Sequence, residues 1–119
     1  MSVLVAIGER NAAYAAALMT FIGDEPGLEC AGPVDRVDRL VDLIIKTGAG
    51  AAVIGGHLAG GGVEAVADPL QCRRHPCRMV VVASVRTTSL RRAANRAGAV
   101  LVERGDGPRL LEALTVVEH

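Results

Sequence analysis

The chain has 119 residues, half of them apolar, which is the size of one globular domain and long enough to bury a single core. Its 13 Lys and Arg balance 13 Asp and Glu, and Tyr14 and Phe21 are its only aromatics, which excludes an aromatic stacking platform for single strands or RNA. No basic-then-apolar amino-terminal signal is visible and the longest apolar runs are strand length, so a cytoplasmic protein without a membrane span is expected.

Val3 to Ile7 is a short apolar run without alternation, the pattern of a strand covered on both faces in a parallel sheet. After the break Gly8-Glu9-Arg10-Asn11, the residues Tyr14, Leu18, Phe21 and Ile22 recur at helical spacing, with Asn11 placed to cap the first turn. Pro26 and Gly27 mark the next turn, and Leu28 to Ala31 makes a second short strand. Val37, Leu40, Val41 and Ile44 follow the spacing i, i+3, i+4, i+7, and Gly48 is the natural stop of that helix. Ala51 to Ile54 is strand three, followed by a glycine-rich stretch from Gly55 to Gly62 and a helix beginning near Val63. Met79 to Ala83 is strand four. Leu90, Ala93, Ala94 and Ala97 mark a small-residue helix ending at Gly98, and Val100 to Val102 is strand five. A last helix starts at Pro108 and buries Leu110, Leu111 and Leu114.

Five strand-then-helix units with right-handed crossovers predict one domain over residues 1–119, an α/β doubly wound parallel sheet with function at the carboxyl ends of its strands. At the third strand, Val53-Ile54-Gly55-Gly56-His57-Leu58-Ala59-Gly60-Gly61-Gly62 resembles the receiver segment that runs apolar, apolar, Asp, His-Leu-Pro-Gly-Gly-Gly. Pro26-Gly27-Leu28-Glu29-Cys30-Ala31-Gly32 is similar to the passage into strand two of the bacterial response regulators that carry helix-turn-helix output domains. The resemblance implies a flavodoxin-like, receiver-like (βα)5 fold with strand order 2-1-3-4-5.

Receivers hold Mg²⁺ with an acid pair after strand one, and they present an aspartate nucleophile after strand three, a Ser or Thr after strand four and a Lys after strand five. A carboxylate attacks a phosphoryl group only when cationic groups neutralise the oxygens that would repel it. Along the resemblance, Glu9 and Arg10 stand at the acid pair and Gly55 replaces the nucleophile. Ser84 matches the hydroxyl, and Glu103 stands at the lysine with Arg104 beside it as the alternative. No Asp or Glu occurs between Asp42 and Glu64, so no shift of one or two positions restores the nucleophile. A degenerate pocket without catalytic residues, metal or cofactor is expected, with Arg10 either paired to Glu9 or Glu103 or pointing to solvent.

Charge is unevenly spread. Residues 1–50 hold seven acids and four bases, whereas residues 71–109 hold nine arginines and two acids. Arg86, Arg91, Arg92 and Arg96 fall on or beside helix four, and Arg104 and Arg109 lie near strand five and helix five. The resemblance implies a dimer or partner contact on that face, for which Asp35, Asp38 and Asp42 are one complement. Three other patterns weigh less. The glycine run lacks the Lys-Ser/Thr ending of a phosphate cradle. Gly55-x-His57-x-x-Gly60 is similar to the cobalamin-binding Asp-x-His-x-x-Gly but has glycine where the orienting acid belongs. Cys72, His75 and Cys77 lack the spacing of a zinc knuckle.

The expected function is a non-enzymatic regulatory domain acting by dimerisation or partner docking in transcriptional control, with DNA reached only through a separate output domain where one is present. The alternative is a sensor that takes a small metabolite into the vacated pocket bordered by Gly55, Gly56, Ser84 and Glu103.

Overall fold

The short apolar runs form one parallel sheet: β1 (Val3–Gly8), β2 (Leu28–Val34), β3 (Ala51–Gly55), β4 (Arg78–Ala83) and β5 (Val100–Glu103), hydrogen-bonded in the order β2-β1-β3-β4-β5. The helices between and after them are α1 (Ala12–Gly23), α2 (Val37–Thr47), α3 (Val63–Cys72), α4 (Thr88–Ala97) and α5 (Gly107–Thr115). The computed structural model describes residues 3–56, 58, 62–84 and 87–115. Among these, no helix is long and apolar enough to cross a membrane.

Successive residues of a strand point to opposite faces, and the two faces feed two cores. Val5, Ile7, Val53, Val80 and Val82 pack with Leu18 and Ile22 of α1 and Leu110 and Leu114 of α5. Ala6, Ala52, Ile54 and Val81 pack with Leu40 and Ile44 of α2, Val66 and Leu70 of α3 and Ala97 of α4. The central strands β3 and β4 are thus apolar on both faces, which is why their sequences do not alternate.

Local chemistry sets the helix ends. Asn11 Oδ1 accepts from the Tyr14 amide at 3.0 Å and Thr87 Oγ1 from the Leu90 amide at 3.1 Å, each satisfying an orphan donor of a first turn. Gly48 and Gly98 close α2 and α4 in the left-handed conformation, at φ 69° and 70°.

The strand expected over Leu28 to Ala31 continues to Val34, through Gly32 at φ 101° and a cis Gly32–Pro33 peptide bond. A proline fits there because β2 is an edge strand, where a missing amide donor costs no ladder bond. The β1–β2 register shifts between Ala6 and Gly8, and the Glu9 amide then donates to Val34 O at 2.9 Å. The longer edge strand therefore fixes the backbone where β1 ends. At the other edge, α5 begins at Gly107 rather than at Pro108.

Candidate functional site

The carboxyl ends of β1, β3 and β5 meet around one carboxylate. Glu9 leaves β1 with its side chain turned inward, and it is the only charged residue in the buried set of the described residues, at 6% exposure. Its Oε1 accepts from Arg104 Nη2 at 2.6 Å. The other side of the carboxylate lies against Gly55 at the end of β3. A Cβ built on Gly55 would overlap Glu9 Oε2 and lie 2.9 Å from Cδ. Any larger residue there would have to displace the Glu9 side chain.

Arg104 follows β5 and is oriented by three contacts. Its backbone amide donates to Ala83 O of β4 at 2.9 Å, Gly105 turns the chain away at φ 92°, and its guanidinium lies 4.1 Å from the centroid of the Tyr14 ring. Tyr14 stands in the first turn of α1, one turn from the Asn11 cap. Burial pushes the Tyr14 phenol above its usual range, with the Arg104 charge opposing that shift. Arg104 Nε is buried with no hydrogen-bond partner among the described residues. The pocket thus holds one negative and one positive group in direct contact, with an aromatic ring over the positive one.

The expected positions separate in space. Arg10 and Glu103 are exposed, and neither takes part in an ion pair among the described residues, whereas Arg104 reaches the carboxylate. The pairing considered for Arg10 is made by Arg104 instead. The cause is the Gly105 turn, which directs the residue after β5 inward over the sheet end. Ser84 directly follows β4 and is exposed. Gly56 donates to Val82 O at 3.0 Å, and the Leu58 amide bonds back to Gly55 O at 3.2 Å, closing a tight turn over β3. His57 and Ala59, Gly60 and Gly61 lie outside the described residues. Mg²⁺ does not fit this donor set: Glu9 is already neutralised by a guanidinium, Gly55 offers no carboxylate, and Arg10 brings positive charge where a second acid would be needed.

No family model matches the sequence, and no curated protein matches it. Solved structures do. The signal receiver domain of the response regulator NarL from Mycobacterium tuberculosis superposes with a TM-score of 0.85 at 14% identity, over 95% of this chain and 93% of that one. A LuxR-family two-component response regulator from Aurantimonas sp. SI85-9A1 gives 0.84 at 19% identity, over 96% and 83%. The response regulator domain of CheB from Thermotoga maritima gives 0.81 at 20% identity, over 99% and 100%. The chain has the receiver fold.

On this receiver fold the basic residues divide into three groups. Arg91 and Arg92 of α4 and Arg109 of α5 are exposed. Arg96 forms a two-point contact with Glu64 of α3, Nη2 to Oε1 at 2.8 Å and Nε to Oε2 at 3.3 Å, which holds the Glu64 carboxyl below its usual range. Arg104 leaves the expected surface group altogether, because its guanidinium is drawn into the pocket. Arg86 lies outside the described residues. The expected acidic complement is diluted: Asp35, Asp38 and Asp42 are exposed, but Asp38 is paired with Arg36 at 3.2 Å, and Arg39 and Lys46 lie among them. Among the described residues no three His, Cys, Asp or Glu side chains gather as metal ligands, and His75 Nε2 faces Ala49 O at 3.4 Å.

Proposed function

We propose that this chain is a receiver-like regulatory domain that does not take up phosphate. It acts in the cytoplasm, without enzymatic activity, by self-association or by docking a partner through the exposed arginines of α4, in transcriptional control. The observation that carries this reading is the position of Glu9. Its carboxylate fills the space an aspartate at position 55 would need, and Arg104 neutralises it. Phosphoryl transfer requires a free nucleophilic oxygen and a cation to shield the incoming charge, and here the pocket's carboxylate, Glu9, and its cation, Arg104, are already paired with each other. The same filling weighs against a metabolite beside Gly55.

Amide NMR of the whole chain in Mg²⁺ and then beryllofluoride tests the proposal. Unchanged resonances at Gly55, Ser84 and α4 are expected. Saturable shifts spreading from Ser84 into α4 would show a pocket that still accepts a phosphoryl mimic and would overturn it.

A further inference from the structure

The chain has one tyrosine, one phenylalanine and no tryptophan, and both aromatics line the same cavity. This slot of about 220 Å³ opens between α1 and the start of α5, on the side of the sheet away from α2, α3 and α4. Its floor is Val82 of the central strand β4, which is 1% exposed, and its walls include Leu18 of α1 and Leu110 of α5. Phe21 closes one end. It is 40% exposed, yet its ring lies on Gly107, where an added Cβ would come within 2.7 Å of Cζ. Tyr14 is the second aromatic of the lining, and its ring already carries the Arg104 guanidinium.

The charge of the lining is of one sign. Glu103 and Asp106 are its carboxylates, and among the described residues no Lys, Arg or His lines it. Asp106 Oδ1 accepts from the Arg109 amide at 3.2 Å and so is held in place as a cap of α5. Glu103 is exposed beside it. An apolar slot reaching the sheet, with two aromatics and a rim of carboxylates, matches a molecule with an apolar body and a cationic end. An apolar cavity of about 150 Å³ holds a benzene ring, so this one has room for a single ring with a short chain.

We infer that the slot between α1 and α5 is a binding site for a small primary amine carrying one aromatic ring or a branched aliphatic group. The apolar body fills the space over Val82, and the ammonium group meets Glu103 and Asp106. The site is separate from the Glu9–Arg104 pocket but shares Tyr14 with it, so an occupant touches the ring that positions Arg104.

The test is amide NMR titration of the whole chain with 3-phenylpropylamine and, in parallel, with 3-phenylpropionate. Saturable shifts at Ala17, Gly105 and Gly107 are expected with the amine, and binding of the acid should be at least about fivefold weaker, the effect of a partly exposed ion pair. Ala17→Leu, at an exposed helix position on the slot wall, should abolish the amine shifts while the circular dichroism melt stays unchanged. Glu103→Gln, which leaves the apolar walls intact, should weaken the amine by about fivefold and, with one like charge gone, should not weaken the acid, so that the preference for the amine narrows. Absence of saturation with the amine, equal affinity for amine and acid, or full binding by both variants would overturn the inference. So would shifts at the same amides on concentrating the ligand-free chain, since a second copy would then be the occupant.

Discussion

Glu9 and Arg104 are 95 positions apart and make the one ion pair of the described residues that includes a buried partner, so their contribution depends on which of the two is removed. Arg104→Met would strand a carboxylate that is 4% exposed, whereas the arginine itself keeps 32% exposure. Breaking a fully buried pair costs about 3–5 kcal/mol; with one partner partly solvated, a loss of about 2 kcal/mol is expected, read from urea unfolding. Adding Glu9→Gln to that variant should recover about half of the loss, because the stranded charge is gone. Gly55→Asp tests the same pocket from the third strand. Alone it forces Glu9 aside and places two carboxylates together, for a cost of at least about 1–3 kcal/mol. In a Glu9→Ala background the clash is absent and the introduced aspartate can take the Arg104 contact, so most of the loss should disappear. If Gly55→Asp proves equally destabilising with and without Glu9, the steric account of the glycine is wrong. The thiols give a further residue-scale expectation. Burial pushes the Cys77 thiol up to about 11 and also raises that of Cys30, while Cys72 is exposed. Iodoacetamide at pH 8 should therefore modify Cys72 first, with Cys77 reacting only as pH approaches 11 or the fold opens, as peptide mass mapping would show.

At the scale of elements, the ends with a local chemical cause should respond to local substitution. Asn11→Ala and Thr87→Ala each remove one capping bond, and each should cost about 1 kcal/mol and lower the melting temperature by about 4 °C. Losses well below half of that at both sites would mean that packing, not capping, sets these helix starts. The same locality explains what could be read in advance. Asn11, Gly48 and Gly98 act through their own backbone neighbours, so the start of α1 and the stops of α2 and α4 were legible in sequence. The true end of β2 was not, because Gly32 and Pro33 look like a turn until β1 is seen to pair with Val34. That Gly55 and Arg10 are not acids is plain in the sequence. Which residue meets Glu9 was not, since the choice between Glu103 and Arg104 depends on the Gly105 turn and on Tyr14 arriving from α1. A side chain's direction after a strand end is set by contacts more than ninety residues away in the chain, which no spacing rule encodes.

The whole molecule combines a pocket that holds a Glu9–Arg104 ion pair with exposed arginines on α4. A two-state domain can transmit a signal only if its arrangements bind something differently, and on the proposed reading no phosphoryl group is there to favour one of them. Regulation would then come from what meets the exposed face, not from the sheet end. Net charge is zero, so long-range attraction to any acidic partner must come from the local cluster on α4 and not from the molecule as a whole. Arg91 and Arg92 are the arginines of α4 left open, because Arg96 is engaged by Glu64. Exposed charges are screened beyond about 8–10 Å at physiological salt, so contacts made through them should weaken as salt rises. Sedimentation equilibrium over a concentration series should accordingly show self-association at about 50 mM NaCl that diminishes at about 500 mM. The double substitution Arg91→Glu and Arg92→Glu should abolish it at both salts without altering the unfolding midpoint, and beryllofluoride with Mg²⁺ should leave it unchanged. A chain that stays monomeric at every concentration would rule out the self-association arm and leave a second protein as the partner. Association that persists in the double variant would place the contact elsewhere on the surface and remove α4 from the mechanism.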